Sequence, residues 1–299
     1  MTLTAFLLIL CSIAFHATWN LIAKKSIMTI SFYGMLSIYT VVITSNVLFW
    51  TPVRYSRLPP EFYAALLLAV TSDTVYGYGL SHAYRKQDMS CAYPVMRALP
   101  LLLTMPLSVM LGGAPLPFHA VLGMLITFAG CLLMPLRRFR DFNWKFYCSR
   151  DMLFILVAAC GTTGYTLMDS RALAAMRASF PDCGKTVISL SYYAVRCVFL
   201  CSALATCNLT VPADRRTYLG LIRRMDWHPV LAALAAVLAY STVLLAMNYV
   251  TNVTYVQMLR LLALPVGVFV GVGILKEKGA APKFAGVALI LTGMLMTVL

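Results

Sequence analysis

The sequence predicts an all-α polytopic membrane protein, with ten transmembrane helices arranged as a 5+5 inverted repeat around a central cavity. Three observations carry this. Of 299 residues, 61% are hydrophobic and 11% charged, against about 25% charged in ordinary soluble domains. The apolar runs reach the roughly 20 residues that cross a bilayer as a helix. The net charge of +14 would suggest nucleic acid in a soluble protein. Here it falls mostly in short connecting segments, where membrane proteins set their orientation, and no nucleic-acid partner is expected. Finally, one shift of 163 residues carries Arg97 onto Arg260, Gly123 onto Gly286 and Gly130 onto Gly293 without a gap. Five spans per repeat is an odd number, so the halves enter the membrane in opposite senses, with a site at their interface near the midplane.

In order, the first repeat (residues 1–142) places spans near 2–23, 29–51, 62–81, 89–111 and 117–136. A basic connector runs from Arg137 to Arg150. The second repeat (143–299) places spans near 151–169, 184–207, 229–248, 253–275 and 282–299. Pro59-Pro60, Gly112-Gly113-Ala114-Pro115 and Gly279-Ala280-Ala281-Pro282 punctuate the loops. Ala83 also meets Ala246 under the shift, and Trp19 can be set against Tyr165. The first span is too long, and lacks a basic start, for a cleaved signal peptide. The nine cysteines show no Cys-x-x-Cys or Cys/His spacing and read as small apolar fillers, so neither metal nor cofactor is expected. Asn208-Leu-Thr and Asn252-Val-Thr match the glycosylation pattern.

Polar groups inside the spans are the site candidates. His16, Trp19 and Asn20 share one face of the first span. His16 is either a packed, hydrogen-bonded group or a proton carrier, a task its ordinary pKa of roughly 6.5 suits. Lys24 and Lys25 snorkel to the interface. Asp73 lies deep in the third span with Tyr76 and Gly77 on its face. It is either functional or a structural ion pair with Arg97 or Arg260. The fourth span, Ser90 to Leu111, carries Arg97 near its middle among Pro94, Pro100 and Pro106. A charge at that depth costs about 2.5–3.5 kcal/mol on insertion scales, so it faces protein or water. Prolines there are tolerated where neighbours or a cavity resolve the freed carbonyls. The device recurs as Arg260 ahead of Pro265.

Arg97 shares a face with Tyr93, and Arg260 lies about one turn from Gln257. Guanidinium groups recognise carboxylate and phosphonate oxygens bidentately and stay charged. The expected substrate-binding residues are therefore Arg97, Arg260, Tyr93, Gln257, Trp19, Tyr76 and Tyr165. Asp73, His16 and Asp169 are the proton-coupling candidates. With Asp73 opposite the arginines the site takes a zwitterion as well as an anion. In the bland alternative Asp73 neutralises one arginine and the other binds proline-freed carbonyls. Asp169, beside Arg171 near an expected helix end, is a solvated cap, a local pair or a substrate contact. Arg196, with Tyr192 and Tyr193 a turn earlier, lines the cavity or clamps the seventh helix.

HATWNLIAKKS at 16–26, AYPVMRALP at 92–100, GTTGYTLMDS at 161–170 and LKEKGAAPKFAGVALILTG at 275–293 resemble the EamA group, ten-span members of the drug/metabolite transporter superfamily. The resemblance covers nearly the whole chain, and the HATWN opening is also similar to a subgroup encoded beside phosphonate-degradation genes. It implies a 5+5 inverted repeat, a central cavity, transport of small metabolites, often outward, and cytoplasmic termini. The acidic residue usual after the fourth span is present in the second half as Glu277, whereas Gly112-Gly113 stands in the first.

The expected function is a secondary transporter and exporter of a small anionic or zwitterionic metabolite, working by alternating access. Amino-acid-like compounds, organic acids and phosphonates fit. The expected setting is the cell (inner) membrane, multi-pass, as monomer or homodimer, with proton coupling a further possibility. The alternative is a translocase for a lipid-linked sugar or headgroup. An intramembrane enzyme is disfavoured, because no HExxH, no paired intramembrane aspartates and no serine with a base are found. With external termini, 16 Lys/Arg fall in cytoplasmic loops and 5 outside, the reverse of the orientation that the resemblance implies.

Overall fold

The computed structural model describes residues 2–24, 29–86, 89–143, 152–224, 228–273 and 280–298. Their regular structure is helical, without a strand among the described residues. The helices are α1 (Leu3–Lys24), α2 (Ile30–Thr44), α3 (Asn46–Trp50), α4 (Pro60–Lys86), α5 (Met89–Met110) and α6 (Phe118–Leu133). The second half contributes α7 (Met152–Ser179), α8 (Lys185–Thr210), α9 (Pro212–Arg224), α10 (His228–Met247), α11 (Thr254–Leu259), α12 (Ala263–Gly273) and α13 (Ala281–Val298). Four are long and apolar enough to cross a membrane: α2 continued by α3, α7, α8, and α10 from Val230. Shorter apolar helices cover Leu3–His16, Pro94–Met110, Phe118–Leu133, Thr254–Phe269 and Ala281–Thr297.

Three departures from the expected spans bear on the site. α7 runs ten residues past the expected end at 169, to Ser179, so Asp169 lies inside a helix and not at its edge. The 253–275 span is broken: a 3-10 turn at Arg260–Leu262 separates α11 from α12. Pro265 explains the break, since it has no N–H for the Leu261 carbonyl and its ring crowds that carbonyl. Arg260 sits in the interruption. The third departure is α9, a basic helix that the apolar pattern did not announce.

The helices pack as antiparallel pairs. On α4 and α7, a Cβ added to Gly79 would sit 2.6 Å from the Ala158 nitrogen, and one on Gly161 would sit 2.5 Å from the Tyr76 nitrogen. On α6 and α13, Gly123 backs onto Gly293 and Gly130 onto Gly286, with added Cβ atoms only 2.3–2.7 Å from the facing carbonyl oxygens. α1 lies along α10, where Ser12 Oγ donates to the Ala239 carbonyl at 2.8 Å. α2 lies along α8, where Asn208 Nδ2 donates to the Ile30 carbonyl at 3.3 Å. α5 meets α11 through Ser108 and Thr254, whose hydroxyl oxygens are 3.0 Å apart.

These contacts define two ends. At one end lie Thr2, bonded to Tyr249, the Thr51–Ser191 pair, and Asn252, whose Nδ2 donates to the Ala114 carbonyl. At the other lie the start of α2, the end of α8, and α9 with its arginines. Neither glycosylation pattern is usable in this fold. Asn208 is fully buried inside α8, and Asn252 is buried in its contact with Ala114.

Candidate functional site: a tyrosine-lined cavity with one unmatched guanidinium

The cavity between the halves is lined by side chains from eight segments. Arg97, Arg260 and His16 bring the basic groups, Asp73 and Arg196 an ion pair. Tyr33, Tyr76, Tyr165, Tyr193 and Tyr240 form the aromatic wall. Leu36, Leu200, Leu204 and Ala236 continue the lining toward the end that carries α9.

Arg196 anchors the most densely hydrogen-bonded part of the described lining. Its Nη2 donates to Asp73 Oδ2 and its Nε to Asp169 Oδ1, each at 2.9 Å. Tyr33 Oη donates to Asp73 Oδ1 at 2.8 Å. Tyr192 Oη donates to Asp169 Oδ1 at 2.5 Å, and Tyr240 Oη to Asp169 Oδ2. Every oxygen of both carboxylates therefore has a donor, which is what a buried charge cluster needs to offset desolvation. Arg196 is 2% exposed, Asp73 5% and Asp169 0%. The cluster joins the halves, because Tyr33 and Asp73 come from the first and the other four residues from the second.

The tyrosines are also linked edge-on. Ring centroids are 6.5 Å apart for Tyr33–Tyr76, 5.8 Å for Tyr76–Tyr165 and 5.9 Å for Tyr165–Tyr240. Tyr193 extends the series from Tyr240 at 5.7 Å. The Arg196 guanidinium lies 4.9 Å from the Tyr240 ring centre and 5.7 Å from that of Tyr165, close enough for cation–π attraction.

Arg260 stands differently. It is 5% exposed, and among the described residues its Nε and Nη1 meet no hydrogen-bond acceptor. Buried polar atoms are nearly always satisfied, so this exception points to a missing partner.

Of the expected substrate residues, the structure brings Arg97, Arg260, Tyr76 and Tyr165 to the cavity wall, together with Asp73 and His16. Gln257 is buried on α11 but lies outside the lining. The Trp19, Lys24 and Tyr93 side chains, and Lys25 and Glu277 as a whole, lie outside what the structure describes. Asp169 is neither a solvated cap nor a partner of Arg171, whose guanidinium donates instead to the Leu111 carbonyl at 2.8 Å. Asp73 pairs with Arg196, and not with Arg97 or Arg260 as the bland alternative had it. Two aspartates are in fact brought together inside the helices, against expectation, and a shared guanidinium lies between them. Tyr33 and Tyr240 escaped the sequence reading, since a tyrosine inside an apolar run carries no period of its own. Three arginines set against two aspartates in the spans was the available signal: the guanidinium groups outnumber the carboxylates.

The structure thus sets a charged cavity among apolar helices, four of them long enough to cross a membrane. The chain belongs to solute carrier family 35, a family of the drug/metabolite transporter superfamily, whose model matches residues 148–299. No curated protein matches the chain. A protein of known crystal structure is similar in fold, with a TM-score of 0.70 over 99% of this chain and 96% of that one, at 16% identity.

Proposed function

We propose that the protein is a secondary transporter that moves a small anionic or zwitterionic metabolite by alternating access, with Arg260 as the principal anion ligand and Arg97 beside it. The observation that carries this is that Arg260 Nε and Nη1, both buried, meet no acceptor among the described residues. A buried charge without a partner is costly, whereas a carboxylate, phosphate or phosphonate entering the cavity satisfies Nε and Nη1 together in the bidentate geometry that guanidinium favours.

The pairing of helices supports two five-helix halves of opposite sense. Exchanging the halves turns the α1–α10 contact into the α7–α4 contact, and it returns α2–α8, α5–α11 and α6–α13 to themselves. The crossed glycines obey the same exchange: Gly123 on Gly293 becomes Gly286 on Gly130. Ten spans follow from this reading. The cavity wall continues through Leu36, Leu200 and Leu204 toward the α9 end. The opposite end is closed by the Arg196 cluster and by Phe62, Leu66, Leu173 and Met176, all fully buried. The α9 end is the one rich in basic connecting segments, which the positive-inside rule makes cytoplasmic. On the exporter reading, substrate loads from that side.

The test is substrate affinity in purified protein, screened over amino acids, organic acids and phosphonates, with Arg260→Lys and Arg97→Lys beside the parent. Lysine keeps the charge but not the fork, so each variant should keep its melting temperature and bind about 1.5–3 kcal/mol more weakly. Unchanged affinity in both removes the anion site. Binding only of lipid-linked ligands favours the translocase reading.

A further inference from the structure

We propose that α9 and the end of α8 form a binding site for an anionic phospholipid, with its headgroup phosphate held by Arg215 and Arg216. α9 joins α8 to the segment before α10, two membrane-length helices, so it lies at the level of the membrane surface. One face is committed to the protein. Tyr218 is 3% exposed, and a Cβ on Gly34 would come within 3.0 Å of its ring. Leu221 packs on the cluster of Phe32, Leu36 and Ala232. Ser31 Oγ donates to the Asp214 carbonyl at 3.2 Å. The other face exposes Arg215, Arg216, Arg223 and Arg224, with Asp214 the one acidic residue of the helix.

A hollow beside the first arginine pair is lined by Leu209, Thr210, Pro212, Arg215, Arg216 and Leu219. Leu209 is 46% exposed, Val211 46% and Leu219 37%. Two guanidinium groups therefore stand directly against uncovered aliphatic surface. A free phosphate uses only the first feature; a phospholipid, with phosphate joined to acyl chains, uses both. The bound lipid would brace α2 and α8 at the rim of the cavity, where Leu36, Leu200 and Leu204 stand.

The experiment uses the full chain in neutral detergent and titrates phosphatidylglycerol, phosphatidylcholine or inorganic phosphate, reading melting temperature and retained lipid by native mass spectrometry. Phosphatidylglycerol should be retained at least ten-fold better than phosphatidylcholine and should raise the melting temperature. Phosphate alone should do neither. Arg215→Gln with Arg216→Gln should abolish the preference, whereas Arg137→Gln with Arg140→Gln, on another exposed basic segment, should keep it. Equal retention of the two lipids by the parent protein overturns the proposal without any variant. So does an equal loss in both double variants, or a phosphate effect as large as that of the lipid. Solute affinity is a separate readout and can fail independently.

Discussion

Two buried arginines of the same cavity carry opposite debts. Arg196 is the counter-ion of Asp73 and Asp169, and removing it leaves two buried carboxylates facing each other. Arg196→Met should therefore cost about 3–5 kcal/mol of stability, the usual penalty for breaking a buried pair from one side. Among the described residues Arg260 has no carboxylate partner to abandon. Arg260→Met should leave the melting temperature unchanged or higher while substrate binding is lost. Thermal melts of the two variants side by side check this, and a fall for Arg260→Met as large as that for Arg196→Met would show Arg260 to be structural. The cluster also reframes Asp73. Asp73 already accepts from Tyr33 and Arg196, so Asp73→Asn disturbs the cluster as well as any proton site and tests the two together. Counterflow exchange that survives without pH-driven net transport assigns it to coupling.

At the scale of the element, small residues decide how closely helices approach. Gly293→Ala should be disruptive, because its Cβ would lie 2.3 Å from the Gly123 carbonyl oxygen and 2.8 Å from the Thr127 nitrogen, both backbone atoms that cannot step aside. Gly267, inside α12 with nothing near its Cβ position, is the matched control. Alanine there should be neutral or stabilising by up to about 1 kcal/mol, from helix propensity alone. Melting temperatures of the pair separate the two causes. The glycines were legible in the sequence as a spacing shared by two segments, but a spacing does not say which carbonyl each one faces. α9 was illegible for a different reason. Its basic and apolar residues alternate over barely three turns between two far stronger apolar signals, so it read as a charged loop. Pro265 announced an interruption near Arg260, although the form it takes, one 3-10 turn, is set by how α11 and α12 pack on their neighbours.

At the scale of the molecule, transport by alternating access requires the closed end to part. There Thr51 of the first half meets Ser191 of the second, with hydroxyl oxygens 2.5 Å apart. Cysteines at both positions, in a chain without its native cysteines, should form a disulfide on oxidation. Transport should then stop while substrate binding persists, and reduction should restore it. Full transport with the crosslink formed would mean that this contact does not open. The sequence by itself determined the solvent of this protein, since apolar runs of spanning length mark a bilayer, where a helix satisfies its own backbone groups internally. It also determined which charges are too deep to be incidental, because depth in an apolar run sets their cost. What only the tertiary structure decided is who neutralises whom. Asp73 and Asp169 lie 96 residues apart in the chain, and either could have met any of three arginines. Helix packing, which no local pattern encodes, gave both to Arg196 and left Arg260 facing the cavity.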